Sequence, residues 1–173
     1  MKAHWQMFAG YNAWANARIY DSASQLIDED YRADRGAFFK SVHGTLNHLL
    51  VADHIWMRRF TGVGEAPDRL DAILFDSLTE LQQARIEEDA RILAFVESLD
   101  DAELSRMLRY RAISTPIECE QELRAALAHW FNHQTHHRGQ IHGLLTRLTG
   151  TAPELDLLVY QRLSGLGGTR WIG

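Results

Sequence analysis

The chain has 173 residues, of which 46% are hydrophobic and 24% charged, with a formal charge of −5. That length suits one domain with a sizeable core, and an acidic balance without a basic run argues against nucleic acid as a partner. Cys119 is the only cysteine, which excludes an internal disulfide and a cysteine-rich zinc site, so any metal here would rest on nitrogen and oxygen ligands.

The chain reads as helix throughout. The first helix is expected over about residues 3–26, where Trp5, Phe8, Tyr11 (or Asn12), Ala15, Ile19 and Ala23 recur at helical spacing. The first twenty residues contain no apolar signal-peptide core, and no stretch approaches the ~18 apolar residues of a membrane span. The expected location is the cytoplasm, with no membrane partner. Residues 28–35 read as a charged loop with about one helical turn. A second helix is expected over about residues 36–60. On it Val42, Leu46, Leu49, Asp53, Trp56 and Phe60 share a face, flanked by Thr45, His48, Ala52 and Ile55.

Thr61-Gly62-Val63-Gly64 ends that helix, and a long connection over residues 62–77 carries an apolar cluster of Leu70, Ile73, Leu74 and Phe75. Ser77-Leu78-Thr79-Glu80 has the capping-box pattern and opens a third helix over about residues 77–99. Its buried stripe is Leu81, Ala84, Ile86 (or Glu88), Ile92, Phe95 and Leu99. Asp100 and Asp101 lead into a turn, and residues 109–114 read as either an extended pair or an irregular loop.

Thr115-Pro116-Ile117-Glu118 offers a second capping pattern, placing a fourth helix over about residues 118–148. Gly139 and Gly143 lie inside it on one face, which predicts close approach of another backbone. A short helix over about residues 153–163 precedes a glycine-rich, loose tail over residues 164–173. The expected fold is all-α, a four-helix bundle over residues 1–163. The long connection between the second and third helices argues against plain up-down-up-down topology.

The fourth helix holds the most informative segment, His129-Trp130-Phe131-Asn132-His133-Gln134-Thr135-His136-His137. Residues four apart share a helical face, so His129, His133 and His137 form one stripe. An i, i+4 histidine pair aims two imidazoles at one point, the usual way a helix holds a metal. The third ligand must come from another helix. His48, inside the apolar run Leu46–Leu50, points inward, whereas His43 and His54 lie on other faces. The selected set is His48, His133 and His137. Each also has a bland reading as a hydrogen-bonded core residue. His129 is expected beside the site rather than in it, His136 on another face, and His4 and His142 at the surface. Asp53 is expected either to orient a ligand histidine or to pair with Arg58 or Arg138. Trp5, Trp14 and Trp56 read as core, and Tyr11 and Asn12 as candidates for a pocket. Cys119 shows no sign of a lowered pKa that would make it a nucleophile.

Three segments together resemble the DinB-like proteins, a damage-inducible family. These are Asn132-His133-Gln134-Thr135-His136-His137-Arg138-Gly139-Gln140, Gly44-Thr45-Leu46-Asn47-His48-Leu49-Leu50 and Tyr11-Asn12-Ala13-Trp14-Ala15-Asn16. The resemblance implies a four-helix bundle with a long crossover, usually a homodimer. It also implies a divalent metal, often zinc or nickel, on His48, His133 and His137. Relatives include transferases of low-molecular-weight thiols such as bacillithiol or mycothiol, a thiol-dependent maleylpyruvate isomerase, and metal hydrolases. The leading expectation is therefore a metal-dependent thiol S-transferase acting on a small molecule. The alternatives are a hydrolase using metal-activated water, with Asp53 or His129 as base, and a non-catalytic metal-binding stress protein.

Overall fold

The apolar stripes of the sequence become the inner faces of four long helices in the computed structural model, which describes residues 1–166. These are α1 (Lys2–Ala23), α3 (Val42–Thr61), α4 (Leu78–Ser98) and α6 (Leu123–Thr149). Short helices α2 (Asp28–Arg32) and α5 (Asp101–Leu104), strands β1 (Met107–Arg111) and β2 (Glu118–Glu122), and a last helix α7 (Leu157–Leu163) complete the chain. No helix among the described residues is long and apolar enough to cross a membrane.

Both α1 and α3 pack on α4 and α6, so α1 and α3 occupy opposite corners. Asn12 meets Asp89 and Lys2 meets Glu97, so α1 and α4 run antiparallel. Asp53 meets Arg85 and Phe60 meets Phe95, so α3 and α4 run parallel. His48 meets His133 and Trp56 meets His129, so α3 and α6 run antiparallel. The bundle is up–down–down–up. A parallel pair cannot be joined by a tight turn, so the chain between Thr61 and Leu78 travels back along the bundle as the expected crossover.

Helix starts follow local chemistry. The Ser41 hydroxyl accepts from the Gly44 N–H at 3.0 Å, and Ser77 caps Glu80 N–H in the same way. Glycine in the left-handed region closes α3 at Gly62 and α6 at Gly150.

Several boundaries differ from the sequence reading. The second long helix starts at Val42 rather than near residue 36, because Gly36 (φ 78°) and Lys40 (φ 70°) turn the preceding segment away from helix. The fourth starts at Leu123 rather than 118. Residues 118–122 instead pair antiparallel with residues 107–111, with Tyr110 opposite Cys119. The proline read as a helix opener lies in the hairpin turn, a role its fixed φ serves equally well. Alternation along β2 half-buries Cys119 and Gln121 and exposes Glu118 and Glu120. The first helix ends at Ala23 and the last begins at Leu157. Among the described residues nothing lies within 4 Å of a Cβ built on Gly139 or Gly143, so the expected close approach of a backbone is not found there. On α4 the alternative position wins, with Ile86 57% exposed and Glu88 only 5%. The glycine-rich tail lies beyond the described residues from residue 167 onward.

A buried polar layer divides the core. On one side Trp5, Trp56, Phe60, Ile92, Leu127 and Trp130 belong to one apolar cluster. On the other, Ile19, Leu46, Leu50, Leu81, Ile141 and Leu145 belong to a second. Between them along each helix sit Asn12 and Asn16, Asp53, Arg85 and Asp89, and Gln134 and Arg138, all buried. Asp53 accepts from Arg85, the Trp130 indole N–H and the Gln134 amide. Arg85 also lies 3.0 Å from Asp89, which accepts from Asn12 and Asn16. The oxygens of those two asparagines accept from Arg138. Two carboxylates and two guanidiniums thus balance while tying four helices together. Arg85 is central to that balance, and its removal leaves Asp53 and Asp89 buried without their shared cation. Arg85→Met is therefore expected to lower the unfolding free energy by about 3–5 kcal/mol in urea titrations. A loss below about 1 kcal/mol, the value of an exposed pair, would contradict this role.

Candidate metal centre

The histidine stripe of α6 meets α3 at His48. One ligand nitrogen from each of His48, His133 and His137 lies within 4.8 Å of the other two. Nε2 of His48 and Nε2 of His133 are 3.2 Å apart. Two nitrogens on one tetrahedral ion at 2.0–2.1 Å stand about 3.3 Å apart, so this pair matches a shared cation. His48 Nδ1 donates to the Leu70 carbonyl at 2.8 Å, and His137 Nδ1 to the Gln140 side-chain oxygen at 3.1 Å. Those bonds leave each Nε2 as a bare lone pair, the form that binds a metal. His133 Nδ1 is buried without a partner among the described residues.

The supports come from three segments. The Leu70 carbonyl belongs to the crossover, which Asn47 clamps by accepting from the Leu74 and Phe75 N–H groups at 2.8 and 3.1 Å. Phe39, on the turn before α3, stacks on His48 with ring centroids 3.7 Å apart and meets His137 edge-on. On α6, Gln134 donates to the Leu49 carbonyl and to Asp53, fixing α6 against α3 one residue from His133.

Burial pushes His48 down to about 4, helped by nearby His137 and opposed by the Leu70 hydrogen bond. His133 falls to about 3 through burial and the other imidazoles, and His137 is also lowered, chiefly by burial. All three are neutral donors at pH 7.

The structure brings His48, His133 and His137 together and leaves the other histidines out. His129 is exposed, 6.0 Å from His133 by ring centroid, with Trp56 on its other side. His136 is exposed and bonded to Gln140. His4 is exposed and His142 half-buried. Asp53 orients no histidine and pairs with Arg85 rather than Arg58 or Arg138, because α4 runs parallel beside α3. Trp5 and Trp56 are core, while Trp14 is half-buried. Tyr11 lines a separate cleft beside Arg138 and Leu155, and Asn12 joins the polar layer.

A cavity of about 290 Å³ opens beside His48 and His133. Ile55, Trp56, Leu70, Tyr110, Ile113 and Cys119 are among its walls, together with Arg59 and His129. Larger clefts lie along the hairpin and between α6 and the segment before α7, but their described linings include none of the three histidines. Phe39, Leu70, Arg59 and Tyr110 were not legible as site residues, since they come from a turn, a crossover, a helix end and a hairpin. Gln140 stands within the histidine motif and was the one readable signal.

Fold and site define a four-helix bundle with a three-histidine cluster joining two of its helices. The family model of the DinB family matches residues 1–169, and the chain belongs to that family. Protein DinB from Bacillus subtilis (strain 168) is 24% identical over 165 residues, covering 87% of this chain and 89% of that protein. Among solved structures, YfiT from Bacillus subtilis superposes with a TM-score of 0.62 at 18% identity, covering 87% of this chain and 89% of that one. YfiT is described as a probable metal-dependent hydrolase with an unusual four-helix bundle topology.

The depressed histidines also make the metal-free protein acid-sensitive. His48 and His133 bind protons more weakly in the folded protein, at about 4 and about 3, than an ordinary histidine at 6.5. Their contribution to stability is complete above pH 6.5 and drains away as the pH falls through those values. Urea midpoints of metal-free protein should fall between pH 7 and pH 4.5, and less steeply in His48→Gln/His133→Gln. An unchanged slope in the double variant would contradict the assignment.

Proposed function

We propose that this protein is a divalent-metal-dependent enzyme that activates a low-molecular-weight thiol and transfers it to an electrophilic small molecule. The observation carrying this reading is the three-imidazole cluster opening on a largely apolar cavity without a carboxylate among the described residues of its lining. Three neutral nitrogens suit zinc or nickel and leave a coordination position open. Bound there, the cation supplies the Lewis acidity that lowers the pKa of a sulfur or oxygen ligand.

The remaining work falls to the chain. Asp53 is enclosed by Arg85, Trp130 and Gln134, so it is no base for this cavity. His129 is the base at the cavity wall, its pKa lowered by the partial burial of its inner side and by Arg59. Neutral at pH 7, it takes the proton the thiol gives up. The sulfur then bonds to the electrophilic carbon, whose leaving group departs with the bonding pair. Ile55, Trp56 and Ile113 limit water at the reacting atoms.

Hydrolysis is the second reading. It is favoured by the same His129, which serves equally for a proton from water, and by the description of YfiT.

The test is protein stripped of metal, reloaded with zinc or nickel, and assayed with a thiol panel and a model electrophile. Conjugation should require the metal. Divalent-metal affinity should fall by more than about 100-fold in His48→Ala, His133→Ala and His137→Ala, beyond the effect of losing a mere supporting group, and stay unchanged in His136→Ala. Thiol-independent ester cleavage would move the assignment to hydrolysis, and metal-independent conjugation would contradict both readings.

A further inference from the structure

Among the described residues, Arg59 is the single Lys, Arg, Asp or Glu side chain lining the cavity beside the histidine cluster. Its guanidinium lies between two rings, 4.6 Å from the centroid of Trp56 and 4.4 Å from that of Tyr110. One nitrogen donates to the Arg111 carbonyl at 2.9 Å. A guanidinium has five N–H donors, and no carboxylate among the described residues pairs with this one. The acids nearest in sequence on the hairpin are turned away. Tyr110 and Cys119 share the half-buried face, whereas Glu118 and Glu120 are exposed on the other, where Glu120 pairs with Arg109 at 2.8 Å.

Several other arginines packed in or on the bundle have a carboxylate partner, and even Arg138, which pairs with no carboxylate among the described residues, is held by the side-chain oxygens of both Asn12 and Asn16. Arg85 has Asp53 and Asp89, Arg91 has Glu88, and Arg32 has Asp28 and Asp76. Arg59 is half-buried yet, among the described residues, meets only rings and one carbonyl. A partly desolvated cation without a counter-ion is unfavourable, and the two rings hold its planar fork in place rather than letting it swing into water.

We propose that Arg59 anchors a carboxylate of the substrate, so that this site takes small carboxylic acids with their reacting end at the histidines. This rests on the cavity being the substrate site. A fork with free paired donors matches the two oxygens of a carboxylate. A phosphate dianion would call for further donors or cations, and the rest of the lining includes Ile55, Leu70 and Ile113. The cavity volume of about 290 Å³ suits a small molecule.

The test uses the zinc-loaded full chain and two matched acid/neutral pairs, read by calorimetry. One pair is 3-mercaptopropionate and its methyl ester, and the other is 3-phenylpropionate and its amide. In each pair that binds, the acid should bind more than about tenfold tighter than its neutral partner, as expected for a charge-assisted hydrogen bond. Arg59→Gln should abolish that preference while leaving zinc affinity and the affinity of the neutral compounds unchanged. Zinc affinity reports the fold, and Arg59→Met, which keeps packing between the rings, replaces the glutamine variant if that variant loses zinc. Absence of acid binding, equal binding within the pairs, or a preference surviving both variants overturns the assignment of Arg59. Discrimination in the phenyl pair with no thiol binding keeps Arg59 as the anchor and removes the thiol from the proposed function.

Discussion

The carboxylate of Asp53, fully buried where α3, α4 and α6 meet, is the constraint on which the rest of the structure depends. An ion in that position is tolerable only when its oxygens are saturated. Arg85 reaches it from α4, and Trp130 and Gln134 reach it from α6. Through Arg85 and Asp89 the layer continues to Asn12 and Asn16 on α1, and through them to Arg138. Apolar packing alone would allow these helices to slide or rotate by a few ångströms. A saturated polar layer allows one register.

That register places the histidines. Gln134 and Arg138 project into the layer, and each directly follows a ligand candidate, His133 and His137. A helix whose Gln134 and Arg138 face inward carries His133 and His137 at the adjoining edge, toward α3. There His48 approaches from the helix that also carries Asp53. The site is thus held from below by the charge layer, from one side by the Leu70 carbonyl and from above by Phe39. Neutral imidazoles crowd together at the cost of their protonated forms, which suits them to bind a cation rather than a proton.

The sequence showed the bundle because its four stripes repeat at helical spacing, and it showed the ligand candidates because the i, i+4 pair stands out from any plausible core pattern. It also placed the crossover, since sixteen residues without a helical stripe have to run somewhere. It did not show the hairpin: Thr115-Pro116 fits a turn and a helix start equally, and five residues of β2 carry a weak alternation. The polar layer was hidden for a different reason. Arg85 and Asp89 read as solvent-facing on any hydrophobicity scale, and only their pairing with each other, with Asp53 on α3 and with the asparagines of α1 makes them core. The partner of Asp53 could not be read either, since it depends on α3 and α4 running parallel. Arg59 was illegible as a site residue because the ring that completes its sandwich, Tyr110, arrives from a strand fifty-one residues away in the chain.

Cavity, cluster and layer fit one account, in which a rigid polar crossing holds three neutral imidazoles around a cation beside an apolar chamber. Its central claim is that His48, His133 and His137 jointly bind the metal. A crystal structure of the zinc-loaded protein, with anomalous data collected on both sides of the zinc edge, tests this most directly. The account predicts a single strong peak within about 2.0–2.1 Å of one nitrogen from each of these three histidines, with a coordination position open to the cavity. A peak centred on His129 or His136, or one bound by only two of the three, would contradict it.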